Sequence, residues 1–284
     1  MTSCSGLDSD WISLFNGEDL SGWEVQCTPA DRGKGFWSVQ EGALTANSMG
    51  RPDHDYVWLE HQGDYGDFEL QLQFQAFRDS PGNSGVQVRS RFDDSPGAPE
   101  GGWMHGPQID VHPPTPWRTG FIYDETREER RWISPDLPDW NIDTTYAPGT
   151  WTFYYADEGD GWNDLIIICE GTRIRTILNG TKMADFDGSG VLDNPAHKSH
   201  KVGMKGHIAL QLHSGDELRI RFRDLRLRRF TSADKCWHDP MMWELTAPDC
   251  GVGIGSTDAR GRHIFPAKGN PGHRTCRRMT GMIY

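Results

Sequence analysis

Residues 67–74 read Asp-Phe-Glu-Leu-Gln-Leu-Gln-Phe and alternate without a fault. Phe68, Leu70, Leu72 and Phe74 fall on one side, and Glu69, Gln71 and Gln73 on the other. A period of two suits a strand with one buried face and cannot give a helix a single apolar stripe. The pattern returns at 85–90, where Val86 and Val88 oppose Gln87 and Arg89, and at 107–112, where Ile109 and Val111 oppose Gln108, Asp110 and His112. It returns again at 206–213, with Ile208, Leu210 and Leu212 against His207, Ala209, Gln211 and His213. Residues 165–180 read as two strands about a short Gly turn, the second ending in an Asn179-Gly180 hairpin turn. Residues 207–213 and 218–222 read as a further hairpin-like pair around Ser-Gly-Asp-Glu. Helical signal is sparse. The charged run 124–132, with Asp124 as its cap, is the one short helix expected. Many strands at short spacing, punctuated by 33 Gly and 17 Pro, predict an all-β, two-sheet jelly-roll sandwich over residues 8–230. Beyond Phe230 the period stops. Residues 231–284 are irregular, contain cysteine, and are expected to pack on the sandwich as a C-terminal extension.

The net charge of −12 argues against a phosphate backbone as partner, so no nucleic acid is expected. The Arg-rich stretch 218–229 reads as the solvated side of a strand. The longest apolar run, 165–169, is far too short for a membrane span. The first residues carry no signal-peptide pattern, so the chain is read as cytoplasmic, or as periplasmic or extracellular if a signal was removed. None of the six cysteines has Cys-x-x-Cys spacing, which disfavours a zinc knuckle; Cys169 reads as a buried thiol. Three cysteines, Cys236, Cys250 and Cys276, fall in the extension, where a disulfide would fit an exported protein. Trp103, Trp117, Trp132 and Trp140 lie in Gly/Pro-rich stretches, where they serve either to stack on sugar rings or to cover sandwich edges.

The sides of the strands that face away from the apolar residues are unusual. Solvated strands favour Thr, Lys and Glu; here they carry Gln87, Arg89, Gln108, Asp110, His112, His207, Gln211 and His213. If these strands are neighbours, carboxylate, guanidinium and imidazole converge on a floor for a polar ligand, a sugar above all. Asp110, His112, Glu125 and His213 also have the mixed N/O character of a divalent metal site for Mn, Zn or Ca.

Six stretches in order, "LFNGEDLSGW" (14–23), "GFWSVQEGAL" (35–44), "DFELQLQF" (67–74), "GNSGVQVR" (82–89), "WNDLIIICEGTRIRTILNG" (162–180) and "GHIALQLHSGDELRIRFRDLRLRRF" (206–230), resemble the 3-keto-disaccharide hydrolase family. The resemblance implies a concanavalin- or laminin-G-like jelly roll and a substrate whose sugar is oxidised to a ketone at carbon 3. Removal of the acidified C2 proton expels the aglycone; adding water back gives a hydrolase, and stopping short gives a lyase. The resemblance implies His213 or Asp110 as base, Arg89 as oxyanion or substrate anchor and Glu125 as acid or metal ligand. Asn83, Gln108, Gln211, His112 and Trp103 are expected to hold substrate. Many relatives carry a Glu two residues before the Gln of the "QID" motif; here Gly106 stands there, and Glu125 or a neighbour is expected to replace it. A carbohydrate-binding module without chemistry would use the same face. An ordinary glycosidase would pair Asp110 with Glu125.

Overall fold

The structure is a computed structural model and describes residues 10–80, 82–98, 101–114, 117–137, 142 and 151–230. The strands run in the order β1 (Trp11–Ser13), β2 (Trp23–Cys27), β3 (Trp37–Gln40), β4 (Ala43–Asn47), β5 (Val57–Tyr65) and β6 (Phe68–Ala76). There follow β7 (Ser84–Asp93), β8 (Trp103–His105), β9 (Pro107–Val111), β10 (Ile122–Asp124), β11 (Arg131–Ser134) and β12 (Asp136–Leu137). After them come β13 (Asn163–Glu170), β14 (Arg173–Leu178), β15 (Thr181–Asp187), the helix α1 (Pro195–His200), β16 (Gly206–Leu212) and β17 (Arg219–Arg229). The expected extension, 231–284, lies outside the described residues.

Two antiparallel sheets form the sandwich. The first runs β15-β14-β13-β6-β17-β4-β3, with β1 also on β17; the second runs β12-β11-β10-β9-β7-β16-β5-β2, with β8 also on β7. The alternating apolar residues meet between them. Phe68, Leu70, Phe74, Ile167, Phe222 and Leu227 of the first sheet pack with Leu59, Val86, Val88, Ile109, Ile208 and Leu210 of the second. The thiols of Cys27 and Cys169 are free and buried; burial pushes Cys169 up to about 11.

The Arg-rich strand β17 has the expected solvated side. Its arginines reach acids and amides of β6 and neighbouring turns: Arg228 to Glu69, Arg226 to Gln71, Arg223 to Gln73 and Arg219 to Asp79. Asp224, at φ +54°, is a bulge after which the alternation restarts. The turn at Asn179-Gly180 also forms as expected, with both residues at positive φ between β14 and β15.

Three expectations are corrected. Residues 207–213 and 218–222 do not pair: β16 lies between β7 and β5, whereas β17 lies between β6 and β4 in the other sheet. A short polar turn signals a reversal, and in a sandwich that reversal can cross to the facing sheet. Residues 124–132 are not a helix. They form the end of β10, a single turn closed by Glu129 and Arg130 N–H groups on Thr126 O, and the start of β11. Pairing along β10 and β11 outweighs the modest gain from i,i+4 charges. The helix that forms is α1, capped by the Asn194 side chain with Pro195 in its first turn.

The third correction concerns Arg89. It lies in β7 at φ +50°, beside a register shift against β16 between His207 and Ala209. The bulge turns its side chain away from the outer side, and Arg89 is fully buried. Its guanidinium donates to Gly66 O at 2.8 Å, Gly171 O at 2.6 Å, Gly203 O at 3.3 Å and Asp67 Oδ1 at 3.1 Å. Residues 66–67 join β5 to β6, and Gly171 lies between β13 and β14, so this one cation ties the two sheets together at their end. Removing it takes a charged donor from several carbonyls and from the Asp67 carboxylate, which keeps the Gly171 N–H at 2.9 Å. Arg89→Ala is expected to lower unfolding free energy by about 3–5 kcal/mol, read from urea denaturation. A loss below about 1 kcal/mol would show that Arg89 is not a tie.

Candidate functional site

Strand register brings the outer side chains of the second sheet into two rows. Gln211 stands opposite Trp58 on one side and Gly85 on the other, and Gly85 stands opposite Asp110. In the next row Glu60, Ala209, Gln87, Gln108 and Tyr123 follow one another across β5, β16, β7, β9 and β10. Glu125 continues the parity of Tyr123 just past β10, and its N–H donates to Gly106 O at 3.0 Å. Glu125 therefore lies beside Gly106. Gly106 itself has φ +121°, and a Cβ there would fall 2.8 Å from Ser90 Cα, so the local backbone excludes a side chain.

Gly85 opens the centre of the array. A Cβ on it would meet the Gln108 side chain at 2.4 Å, so the absent side chain is what lets Gln108 lie across β7. The amides there have fixed orientations. Ser90 Oγ donates to Gln87 Oε1 at 3.0 Å, and Gln87 Nε2 donates to Gln108 Oε1 at 3.0 Å.

Next to these satisfied groups are buried polar atoms with no hydrogen-bond partner: both amide atoms of Gln211, Asp110 Oδ2, Glu125 Oε2, Asn83 Oδ1, His112 Nδ1 and Arg118 Nε. Arg118 Nε is 3.5 Å from Asp110 Oδ2, an ion-pair contact without a hydrogen bond. A buried polar atom left unpaired typically costs about 1–3 kcal/mol, so a folded chain seldom collects several in one place without a ligand or water to satisfy them.

Burial raises Glu125 from its ordinary 4.5 to about 7; Asp124 and Asp110 push the same way, while Arg130 and the nearby Gln211 amide, in a contact that falls outside hydrogen-bond geometry, oppose them. Burial also raises the Tyr123 phenol, with Glu125 adding to the shift, and raises Tyr56 to about 12. His112 is lowered by burial and then by Arg118. His213 Nδ1 is 3.1 Å from Ser214 O, which only accepts, so its Nε2 accepts from Tyr56 OH at 3.2 Å. Tyr56 lies in turn within the field of Glu125 and Arg130. Asp216 closes the rim by accepting from the Asn83 N–H at 2.6 Å.

The expected residues thus divide. Asp110, Gln108, Gln211, Glu125, His112, Asn83 and His213 lie on or at the rim of this face, and Arg89 does not join them. Trp103 is near but buried. Its Nε1 donates to Glu125 O at 2.8 Å, and the guanidinium carbons of Arg127 and Arg130 lie 3.8 and 4.8 Å from its ring centroid. It supports Glu125 from beneath and offers no free face to a sugar. Trp117 and Trp132 are likewise buried, which favours the covering role; Trp140 lies outside the described residues. His207 is occupied, with Nδ1 donating to Glu60 at 2.8 Å and Nε2 accepting from Arg91 at 3.0 Å. Sequence reasoning missed Tyr56, Arg118, Tyr123 and Arg130. Tyr123 had a signal, since it is two residues before Glu125 on the same side of a strand.

The ligand set expected for a metal is also corrected. Asp110, His112, Glu125 and His213 do not bring three donor atoms together; among the described residues the group that does is Asp93, His105 and His200, within 4.8 Å of one another. No helix among them is long and apolar enough to cross a membrane.

Solved structures similar to the chain include a candidate glycosyl hydrolase from Parabacteroides distasonis ATCC 8503, 17% identical, covering 78% of this chain and 94% of its own, with a TM-score of 0.48. A second from the same organism is 23% identical and covers 78% of this chain and 99% of its own, with a TM-score of 0.46. A Bacillus subtilis protein of unknown function with a galectin-like fold is 11% identical and covers 74% of this chain and 90% of its own, with a TM-score of 0.49. No curated protein matches the chain. Residues 10–228 match the family described as the 3-keto-alpha-glucoside-1,2-lyase-like domain, and the chain belongs to that family.

Proposed function

We propose that the outer face of the second sheet binds a glycoside oxidised at carbon 3 and cleaves it by elimination. The observation that carries this reading is the set of unpaired buried atoms of Gln211, Asp110 and Arg118 around a glutamate poised near neutrality. A base working at neutral pH is best matched by a pKa near 7.

In this scheme Glu125 takes the C2 proton, and the C2–H electrons form an enolate onto the C3 oxygen. Arg118 and the Gln211 amide are the donors nearest to hand for that oxygen, replacing Arg89 in the role expected from sequence. The enolate then collapses: the C3 carbonyl re-forms, a C1–C2 double bond forms, and the C1–O bond to the aglycone breaks. The Tyr56–His213 pair supplies a proton to the departing oxygen. Asp110 holds Arg118 in place, and Gln108 and Asn83 bind sugar hydroxyls. Water adding across the enone makes the net reaction a hydrolysis.

Glu125→Gln is expected to lower turnover of a chromogenic 3-keto-glucoside by about 10²–10⁴, with the fold intact. Undiminished turnover in that variant would remove Glu125 from the chemistry. Binding with no product from the wild type would make the domain a glycan-binding module, and cleavage of the unoxidised glycoside would favour an ordinary glycosidase.

The raised Glu125 also has a consequence for stability. Its folded value lies above its ordinary one, so folding favours the protonated form. The penalty is absent below about pH 4.5, grows between 4.5 and 7, and is complete above 7. Glu125→Gln is therefore expected to be more stable than the wild type at pH 8, by up to about 3 kcal/mol, with most of this gain gone at pH 4.5. Equal differences at both pH values would show that Glu125 does not ionise within the fold near neutrality.

A further inference from the structure

Apart from the face just described, a pocket of about 250 Å³ is lined by Arg91, Phe92, Asp93, His105, Ser199, His200 and Lys201. Three elements meet there: the end of β7 brings Asp93, β8 brings His105, and the last residue of α1 brings His200. One donor atom from each lies within 4.8 Å of the others. His105 is buried, and its Nε2 has no hydrogen-bond partner. That nitrogen is 3.9 Å from Asp93 Oδ2, too far for a hydrogen bond and close to the spacing of two ligands on one ion. With bonds of about 2.0–2.1 Å, tetrahedral ligand atoms are about 3.3 Å apart. Asp93 is oriented by its other oxygen, which accepts from Ser95 N–H at 3.0 Å. His200 Nε2 donates to both Glu128 oxygens, at 3.2 and 3.1 Å, which leaves Nδ1 with the lone pair. A carboxylate gripping the far N–H of a ligating imidazole is the usual outer support of a metal site.

We propose that Asp93, His105 and His200, with Glu128 behind His200, form a binding site for a divalent cation of the zinc class. Two imidazoles and one carboxylate suit Zn²⁺ better than Mg²⁺ or Ca²⁺, which take all-oxygen sets. Two movements accompany binding. The rings of His105 and His200 are stacked at 3.6 Å and 13°, and an ion must lie in the plane of each ring, so His200 tilts out of the stack. It is at the partly exposed end of a one-and-a-half-turn helix and has room to do so. His105 Nδ1 takes the proton from Nε2 and gives up the long 3.4 Å bond from Arg127 N–H. The ion joins β7, β8 and α1, and through Glu128 it fastens the 125–130 turn that follows Glu125. The site does not depend on the reaction proposed above.

The test uses the full chain, stripped with a chelator and dialysed, then titrated with Co²⁺ as a visible-absorbing stand-in for Zn²⁺. The wild type is expected to bind one equivalent more than His200→Ala or Asp93→Asn, with the d–d bands of a nitrogen–oxygen site. Each variant is expected to lose at least about 100-fold in affinity at that equivalent, and Glu128→Gln about 10-fold. Zn²⁺ should raise the Tm of the wild type and leave the Tm of the first two variants unmoved. His200 is partly exposed, so its replacement leaves the core intact, and Asp93→Asn keeps the side-chain shape. Equal Co²⁺ uptake by wild type and both variants, or no rise in wild-type Tm with Zn²⁺, would overturn the site.

Discussion

The space between the two sheets is filled by apolar side chains, and that exclusion sends Gln87, Gln108, Asp110 and Gln211 of β7, β9 and β16 to the other side, while Arg89 is turned off that side by its bulge. What distinguishes this sandwich is that the outer side is itself largely covered. Trp58, Trp103, Met104 and Ala209 form a second apolar cluster there, with Tyr56 and Phe92 packed against it. The polar side chains beside that cluster are therefore buried without the water that an outer strand face normally enjoys. Desolvation is the largest cause of the raised Glu125, and it is also what makes the unpaired atoms of Gln211 and Asp110 costly. The raised Glu125 and the cost of its unpaired neighbours have one origin.

Much of this was legible because alternation is a strong signal. The strands at 67–74, 85–90, 107–112 and 206–213 form where their period places them, and the outer positions of Gln87, Gln108, Asp110, Gln211 and His213 follow from counting by twos. Counting failed at Arg89, because one residue at φ +50° shifts the parity and nothing in the letters marks a bulge at an arginine. It failed at 213–218 for a different reason. A turn sequence fixes that the chain reverses, while the choice between pairing locally and crossing to the facing sheet is made by burial over the whole domain. Arg118 and Arg130 come from turns, where no period exists to read, and Tyr56 precedes its strand by one residue.

The glycines show how backbone shape and chemistry are joined. Gly85 leaves the gap that Gln108 fills, and Gly106 folds too tightly against Ser90 to carry a side chain. At the second of these, the N–H of Glu125 donates to the Gly106 carbonyl. The hydrogen bond places Glu125 just past the end of β10, beside β9.

The proposed elimination requires that the hydrogen on sugar carbon 2 be removed. A 3-keto-glucoside carrying deuterium at C2, incubated with the protein in ordinary water, tests this directly by mass spectrometry of the released sugar. Elimination predicts that deuterium at C2 slows release of the aglycone several-fold, and that the released sugar loses deuterium as Glu125 exchanges it with water, at a rate well above the exchange seen without protein. Cleavage with the deuterium fully retained and at the same rate as the undeuterated glucoside would mean direct displacement at C1, and the mechanism built on Glu125 would be wrong.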